Sequence, residues 1–459
     1  MQAIAHWTGR ALARISATLG TIMGGVLAGG SVAALGTKAV VLVPALAFVV
    51  AMALIPYSPL VGIVFTIPIN VEIAGPITVS RLLIVLGFFV AILQAVKGQM
   101  RPFNIPREGY ASIGFFLWVA FIAVALPGGG LLERIGPYIV HGAIFFVVLA
   151  YADTPERVRL VFITLVVSAV GQGLLAVAEA RFGFAPFGGW HAQLAEDRGD
   201  TEIRVTATAS HAIVLAGFLQ IVMVVVGMFI LTARRFLVRL LLLGILGLLL
   251  IAWWYTFARS SWIGMAVLGF VAMMILHPVT RTLGLIGGTV GFVILAAHSF
   301  SMSAVIDTVE SLATLQSASK TAGVTAGSES FSWRTENWTA AYNMWVRNPL
   351  TGVGIEQSDP QMPNYLPRGA LAHQFIAHTS PHNMFLMVAS EGGTPAILFY
   401  VLMWIAALRG IFRAWSVPDL KIYAMTLLVM ASGHLGTFTF NPLAREGFLI
   451  MALGMALGR

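Results

Sequence analysis

Long apolar runs, separated by short polar stretches, follow one another along almost the whole chain. Most of them are long enough to cross a hydrocarbon core of about 30 Å as an α-helix. Helices are expected because isolated strands leave backbone groups without partners in lipid. The runs occupy residues 39–55, 58–74, 79–96, 108–126, 135–151, 159–180, 206–231, 240–257, 261–276, 282–300, 383–408, 420–437 and 446–458. With a weaker run at 15–36, which is either a first span or an interfacial helix, the pattern predicts an all-α polytopic membrane protein with about 12–14 transmembrane helices.

Composition supports this prediction and excludes several kinds of site. Of 459 residues, 58% are hydrophobic and 10% charged, and the mean hydropathy is +0.88. A soluble domain carries about 25% charged residues, so this chain could not cover itself with polar surface in water. It has no cysteine, which excludes disulfides, thiolate nucleophiles and cysteine-ligated metals. The net charge of +8 comes from basic residues between apolar runs, where they set orientation, and we expect no nucleic-acid partner.

Basic residues are distributed unevenly between the two sets of alternate loops. One set has 12, namely Lys97, Arg101, Arg107, Arg157, Arg159, Arg234, Arg235, Arg239, Arg281, Arg409, Arg413 and Lys421. The opposite short loops have seven, namely Arg81, Arg134, Arg181, Arg198, Arg204, Arg259 and Arg445. The richer set should be cytoplasmic by the positive-inside rule. Residues 181–205, the turn at Arg259, the segment 301–381 and the start of the span at 382 should then face the periplasm.

These loops divide the chain into four parts. Residues 1–200 hold N-terminal transmembrane helices, 201–300 hold further helices with Arg204 and Arg259 at the periplasmic face, 301–381 form a large periplasmic loop, and 382–459 hold the C-terminal helices.

The large loop is expected to be partly helical. Its small polar residues at 315–330 predict a mobile linker. After the linker, Phe331, Trp338, Ala341, Tyr342 and Trp345 recur at helical spacing. Ser332 can cap this helix, and Asn348 followed by Pro349 should stop it. An aromatic stripe of this kind usually packs against another surface, so we expect the helix to lie on the membrane or over the helix bundle as a lid.

The strongest local signal for chemistry is the stretch HTSPHNMFLMVASEGG at 378–393. Ser380 can cap a helix and Pro381 can take its first position, which would place His382 in the first turn. The positive end of the helix dipole disfavours imidazolium, as a neutral general base requires, and free N–H groups there can hold an anion. A structural histidine is the plainer interpretation. His378 and His382 could also ligate zinc, but no glutamate completes an HExxH pattern, so we expect no metal.

Three outward arginines are not explained by orientation. Arg259 and Arg204 lie at the ends of spans, where each could be a snorkelling anchor. Arg334 falls on the polar side of the periplasmic helix, where a solvated charge is the plainer interpretation. Since all three are predicted on the same side as the paired histidines, we favour a functional role for them together.

Five stretches in this order resemble the O-antigen ligase and O-antigen polymerase superfamily. They are RVTATASH at 204–211, FARSSWIG at 257–264, RTENWTAA at 334–341, NPLTGVG at 348–354 and PHNMFLMVASEGGTPA at 381–396. The resemblance covers residues 200–415, and the first 200 residues match only in hydropathy. Each motif is loose by itself, but their order, with an outward loop before the His-Asn span, is specific.

The resemblance implies transfer of glycan from undecaprenyl diphosphate in the bacterial inner membrane, at the periplasmic face, without a metal, cofactor or nucleotide sugar. The family's proposed base, a histidine after the large loop, corresponds to His382. Its diphosphate-binding arginines correspond to Arg259 and Arg334, with Arg204 a weaker match. His378 and Asn383 are expected to bind substrate, although the spacing of the two histidines departs from the family pattern and leaves the role of His378 open.

Two other interpretations remain at this point. A secondary transporter of a small anion such as bicarbonate would use ionisable or polar residues near the midplane. Those at depth are His141, Gln172, His211, Gln220 and His434. Within the enzyme class, a polymerase that joins repeat units and a ligase that moves finished glycan to another acceptor use the same donor chemistry, and the sequence does not separate them.

Overall fold

A computed structural model describes a large part of the chain. The described residues are 57–74, 77–98, 100, 105, 107–183, 204–209, 211–275, 282, 326–367, 381–438 and 444–459. The predicted runs at 15–36 and 39–55, the run at 282–300 apart from its first residue, and the linker at 315–325 lie outside them.

Helices dominate the described residues. They are α1 Ser58–Phe65, α2 Val79–Val96, α3 Tyr110–Ala125, α4 Leu131–Tyr151, α5 Pro155–Phe182, α6 Ala212–Thr232, α7 Phe236–Trp254, α8 Arg259–Ile275, α9 Ala326–Arg347, α10 Ser358–Gln361, α11 Met384–Trp415, α12 Lys421–Phe438 and α13 Arg445–Leu457. Two short 3₁₀ helices, Arg107–Gly109 and Met362–Asn364, also occur among the described residues. Six of the helices (α2, α4, α5, α6, α7 and α11) are long and apolar enough to cross a membrane, and α3 and α8 are shorter apolar helices. The predicted all-α polytopic fold is confirmed.

The helices of two of the apolar runs begin at a threonine cap. The run at 79–96 is α2 itself, which starts after Thr78, whose hydroxyl accepts a hydrogen bond from the backbone N–H of Arg81 at 3.2 Å. Thr154 caps α5 in the same way, and Gly183 ends α5 in the left-handed conformation that favours glycine. Threonine caps and a glycine stop therefore fix the ends of these spans.

The run at 58–74 is not one helix, contrary to the prediction. Its helix α1 ends at Phe65, and the chain then turns through Pro68 to a short strand, Glu72–Ala74, paired antiparallel with Ile77–Thr78. Proline has no backbone N–H and its ring clashes with the preceding turn, so an apolar composition alone does not extend the helix past residue 68.

The helix in the large loop begins earlier than predicted. It starts at Ala326 rather than after Ser332, so residues 326–330 belong to the helix and not to the linker. The predicted stop is confirmed, because α9 ends at Arg347, immediately before Asn348 and Pro349.

Packing places the outward segments at one end of the helix bundle. The backbone N–H of Asn70 donates to Thr208 at 2.8 Å, that of Val205 donates to Tyr255 at 3.2 Å, and Arg445 bonds the carbonyl of Ile67 at 3.0 Å. At the opposite end, Arg157 bonds the hydroxyl of Tyr57 at 2.7 Å and pairs with Asp153. The segments that the sequence grouped as outward therefore meet one another in space.

Candidate functional site

The loop after α9 is joined to α11 by backbone hydrogen bonds. The N–H of Val353 donates to Ser390 at 2.7 Å, that of Gly354 to Glu391 at 3.2 Å, and that of Thr394 to Pro349 at 2.7 Å. Two of the sequence motifs, NPLTGVG and SEGGTP, thus dock onto each other. We call this contact, between 348–354 and 390–394, the motif joint.

Glycines make the motif joint sterically feasible. Gly393 has φ +71° and interrupts α11, so that this helix consists of two segments meeting at a kink. A Cβ on Gly393 would overlap the carbonyl of Leu350, and one on Gly352 would overlap the backbone of Glu391. Only glycine allows both the positive φ and the close approach of two backbones. The glycines of these motifs therefore have a structural role.

A buried carboxyl strengthens the motif joint. Glu391, 1% exposed, accepts hydrogen bonds from the Ser358 hydroxyl at 2.6 Å and from the Tyr138 hydroxyl at 3.2 Å. Trp118 donates to the carbonyl of Gly392 at 2.7 Å. In the same loop, burial and the nearby charge of Asp359 raise the pKa of Glu356 to about 7. The joint is thus bonded to α3 and α4 as well as to α9.

Helix α9 lies beside the first part of α11 and runs in the same direction. Near its end, Trp345 donates to the Thr394 hydroxyl at 3.1 Å, and near its middle, the charge of Arg334 acts on His382. Arg334 and Trp345 are 11 residues apart and His382 and Thr394 are 12 apart, which at about 1.5 Å per residue are similar lengths. The structure therefore brings together two of the three predicted catalytic residues, Arg334 and His382.

His382 precedes α11 and does not lie in its first turn, contrary to the prediction. Asn383 is the N-cap, and its side-chain oxygen accepts from the N–H groups of Phe385 and Leu386, both at 3.0 Å. His382 adopts φ +48°, an uncommon conformation for a residue other than glycine. Ser380 is thus not needed as a cap, because the asparagine nearest the helix fills that position.

Burial and the charge of Arg334 shape the protonation of His382. Both effects disfavour the imidazolium, and together they lower the pKa of His382 to about 4. The side chain is partly buried, at the end of the bundle where the outward loops meet. His382 is therefore a neutral imidazole near pH 7, able to accept a proton.

The structure describes the remaining predicted site residues to different extents. Arg204 donates through Nε to the carbonyl of Thr256 at 3.2 Å and through Nη2 to that of Phe257 at 3.4 Å. It therefore holds the turn before Arg259, the residue that begins α8. His378 and the side chain of Arg259 lie outside the described part of the chain. The oxygen of Asn383 is engaged as the helix cap.

The packed face of α9 includes only part of the stripe expected from the sequence, since Ala341 belongs to both and Trp338 and Trp345 are partly buried. Ala340, Ala341 and Met344 are fully buried, whereas Tyr342 is 52% exposed. Asn337, one turn after Arg334, is also fully buried, and neither end of its amide meets a hydrogen-bond partner among the described residues. Sequence analysis missed Asn337, although the helical spacing Asn337–Ala340–Ala341–Met344 could have indicated this face.

A cavity of about 430 Å³ lies at the same end of the bundle, and no sequence pattern indicated it directly. Its polar lining comes from the ends of several helices and loops. These residues are Asn70, Arg81, Glu133, Tyr138, His141, Glu356, Arg445 and Glu446. Arg81 and Arg445 were among the seven outward basic residues, so their position could have raised attention, but nothing in the sequence joins them.

No group of three or more histidine, aspartate or glutamate side chains arranged to hold a metal occurs within the described ranges. This finding does not extend to His378, the second member of the zinc pair considered from the sequence.

Comparison with known protein families identifies part of the chain. A family model described as O-antigen ligase matches residues 244–401, about a third of the chain. The match includes α8, α9, the motif joint and the start of α11, and it confirms the resemblance predicted from the motifs. No curated protein matches the chain.

Proposed function

With the O-antigen ligase region at 244–401 as the premise, we propose that this protein is an inner-membrane glycosyltransferase. It transfers glycan from undecaprenyl diphosphate to a sugar hydroxyl of a glycan or lipid-linked acceptor, at the periplasmic face, in the synthesis of surface polysaccharide or lipopolysaccharide. The observation that carries the proposal is the approach of Arg334 to His382 at the outward end of the bundle, within the matched region.

The chemistry of this transfer fits the two residues. The acceptor hydroxyl loses its proton as its oxygen attacks the anomeric carbon, and a neutral His382 takes that proton. The bond from the anomeric carbon to the diphosphate breaks, and the leaving diphosphate gains negative charge that Arg334 stabilises. The low pKa of free His382 rises when this anion binds, because its charge opposes that of Arg334.

Arg259 is proposed as the second diphosphate ligand, and Arg204 supports it. Arg204 holds the carbonyls of Thr256 and Phe257, and α8 begins two residues later at Arg259. His378 and Asn383 complete the proposed substrate-binding residues. No metal or nucleotide sugar is required, because the diphosphate leaves without protonation. A polymerase and a ligase share these steps, and the proposal covers both.

The transporter interpretation has less support. Two of the polar residues that it would use are hydrogen-bonded to neighbouring helices or loops: Gln172 donates to Thr208 at 2.6 Å, and the Thr437 hydroxyl donates to Gln220 at 2.9 Å. Bonds of this kind stabilise packed membrane helices. They account for Gln172 and Gln220 without transport.

Two parallel measurements on the purified protein separate glycan transfer from anion transport. Purified protein is incubated with lipid-linked glycan and acceptor with and without a chelator, and in parallel is reconstituted into liposomes to measure bicarbonate flux. We expect a new glycan product on gels, at equal yield with the chelator, and no flux above that of empty liposomes. Flux without product would overturn the proposal, and loss of product in the chelator would overturn its metal independence.

A further inference from the structure

The cavity described above contains buried polar groups that the protein leaves unsatisfied. Glu446, 1% exposed, lines it, and neither carboxyl oxygen meets a donor from another described residue. His141, 7% exposed, also lines it, and its Nδ1 has no partner in the described ranges. Buried polar groups in native proteins are nearly always hydrogen-bonded, so this pair requires partners within the cavity, from a ligand or from water.

Rigid surroundings hold both groups in place. The ring of His141 stacks on Phe448 with centroids 4.6 Å apart and an interplanar angle of 14°. Arg445, next to Glu446, donates to the carbonyls of Ile67 and Ile69 and to the Ser80 hydroxyl at 2.9–3.1 Å. Side chains fixed in this way are pre-organised for a ligand and lose little entropy when it binds.

The cavity is lined by both acidic and basic side chains, and this combination restricts the class of ligand that it can bind. The carboxyl oxygens of Glu133, Glu356 and Glu446 compete with a phosphate for hydrogen-bond donors, while the guanidiniums of Arg81 and Arg445 oppose a metal cation. Eight of the fifteen lining residues are polar, and five of these are acidic or basic, which does not suit an acyl chain. Hydroxyl groups both donate and accept, so a ring with several of them can satisfy carboxyls and guanidiniums together. A volume of about 430 Å³ lies within the usual range for small-ligand sites.

We propose that this cavity binds the acceptor saccharide, with Glu446 and His141 bonding its ring hydroxyls. The acceptor role rests on the proposed function. It is supported by the start of α11, where Met387 lines the cavity and His382, five residues earlier, is acted on by Arg334. Donor diphosphate and acceptor sugar would then occupy opposite sides of the α11 start, with His382 between them.

Binding can be measured without transfer, because the chain has no cysteine. Val214→Cys introduces one thiol in the cavity wall, and Leu350→Cys introduces a control thiol at a 68% exposed site outside the lining. The probes are two free oligosaccharides from the same cells. One is released by mild acid from the lipid-linked glycan, which a polymerase would accept, and the other is released from the lipopolysaccharide core, which a ligase would accept. We expect one of them to slow maleimide labelling of Val214→Cys at least about tenfold at saturation, and both to leave Leu350→Cys unchanged.

Adding Glu446→Gln to the Val214→Cys protein should raise the apparent Kd of protection by about tenfold, since one carboxyl oxygen is replaced by an amide NH₂ that cannot accept a hydrogen bond. The matched control is Glu179→Gln, at a 5% exposed carboxyl outside the cavity, whose oxygen accepts from Thr206 and Ala207 at 3.0 and 2.8 Å. It should leave the Kd unchanged. Should Glu446→Gln fail to fold, His141→Phe keeps the stacked ring without its nitrogens, and the same rise is expected.

Absence of protection, or equal protection of the Val214→Cys protein with and without Glu446→Gln or His141→Phe, would overturn this inference and leave a water-filled cavity. Failure of the proposed function is distinguishable, because protein that transfers glycan without saccharide protection would contradict only the cavity assignment. Protein that shows protection but transfers nothing would contradict only the proposed enzyme.

Discussion

The two ends of the contact between α9 and α11 are held in different ways. At the motif joint, backbone bonds, a buried glutamate and two glycines fix the chains so closely that no side chain fits between them. At the other end, Arg334 approaches His382, which adopts a positive φ and a lowered pKa. The residues that fix the register of α9 against α11 are therefore different from the residues that we propose for chemistry, and the motif joint holds the two helices at the spacing at which Arg334 meets His382.

The largest effect should come from breaking the motif joint. Gly393→Ala places a Cβ against the carbonyl of Leu350 in a conformation that only glycine adopts readily. We expect a loss of about 3 kcal/mol or more in the free energy of unfolding, from strain and overpacking together. Thermal unfolding in detergent would measure it. The control is Gly171→Ala within α5, where no described atom lies within 4 Å of the added Cβ. Unchanged stability of Gly393→Ala would contradict a stabilising role of the motif joint.

A smaller effect, confined to activity, should follow from Arg334→Lys. Lysine keeps the charge but loses the planar fork that bonds a diphosphate through two N–H groups. We expect transfer to fall by about tenfold or more at a normal protein level, and the same for Arg259→Lys. The control is Arg347→Lys at the other end of α9, where the guanidinium lies 5.4 Å from the ring centre of Tyr365. Full activity of both Arg334→Lys and Arg259→Lys would mean that these arginines anchor the chain and do not bind the diphosphate.

The smallest effect is a shift in the pKa of His382. Burial and Arg334 both lower it to about 4, so Arg334→Gln removes one cause and should raise it towards, but not above, the ordinary value of about 6.5. Histidine NMR, assigned with His382→Ala, would follow the titration, and Arg347→Gln should leave it unchanged. The acid limb of kcat/KM in wild type should accordingly lie nearer pH 4 than pH 6.5. An unaltered pKa in Arg334→Gln would contradict the proximity of the two residues.

Much of the fold follows from apolar periodicity, because each span must satisfy its own backbone. Residues 79–96 coincide with α2, and 420–437 differ from α12 by one residue at each end. The exact ends of the helices were harder to predict, because neighbouring residues compete for the same capping or helix-ending position. Pro68 ended a run that hydropathy alone would have extended, and Asn383 occupies the cap position that had been predicted for Ser380.

The candidate site was predictable only where its residues are close along the chain or lie in a known motif order. His382 and Arg334 were found in this way. The cavity was not, because Asn70, His141 and Glu446 come from three separate parts of the chain and meet only through helix packing. Asn337 was missed because a polar residue in a helix is ordinarily taken to be solvated.

The central claim is that His382 acts as the general base, and single-turnover transfer by His382→Ala tests it most directly. The variant should fold and bind lipid-linked donor as wild type does, because the Asn383 cap of α11 and the arginines remain. Transfer should fall by about a hundredfold or more, the scale for losing a positioned proton acceptor. The matched control, His211→Asn, replaces a histidine that caps α6 through Nδ1 and should retain near-normal transfer. Near-normal transfer by His382→Ala, with donor binding intact, would contradict the account.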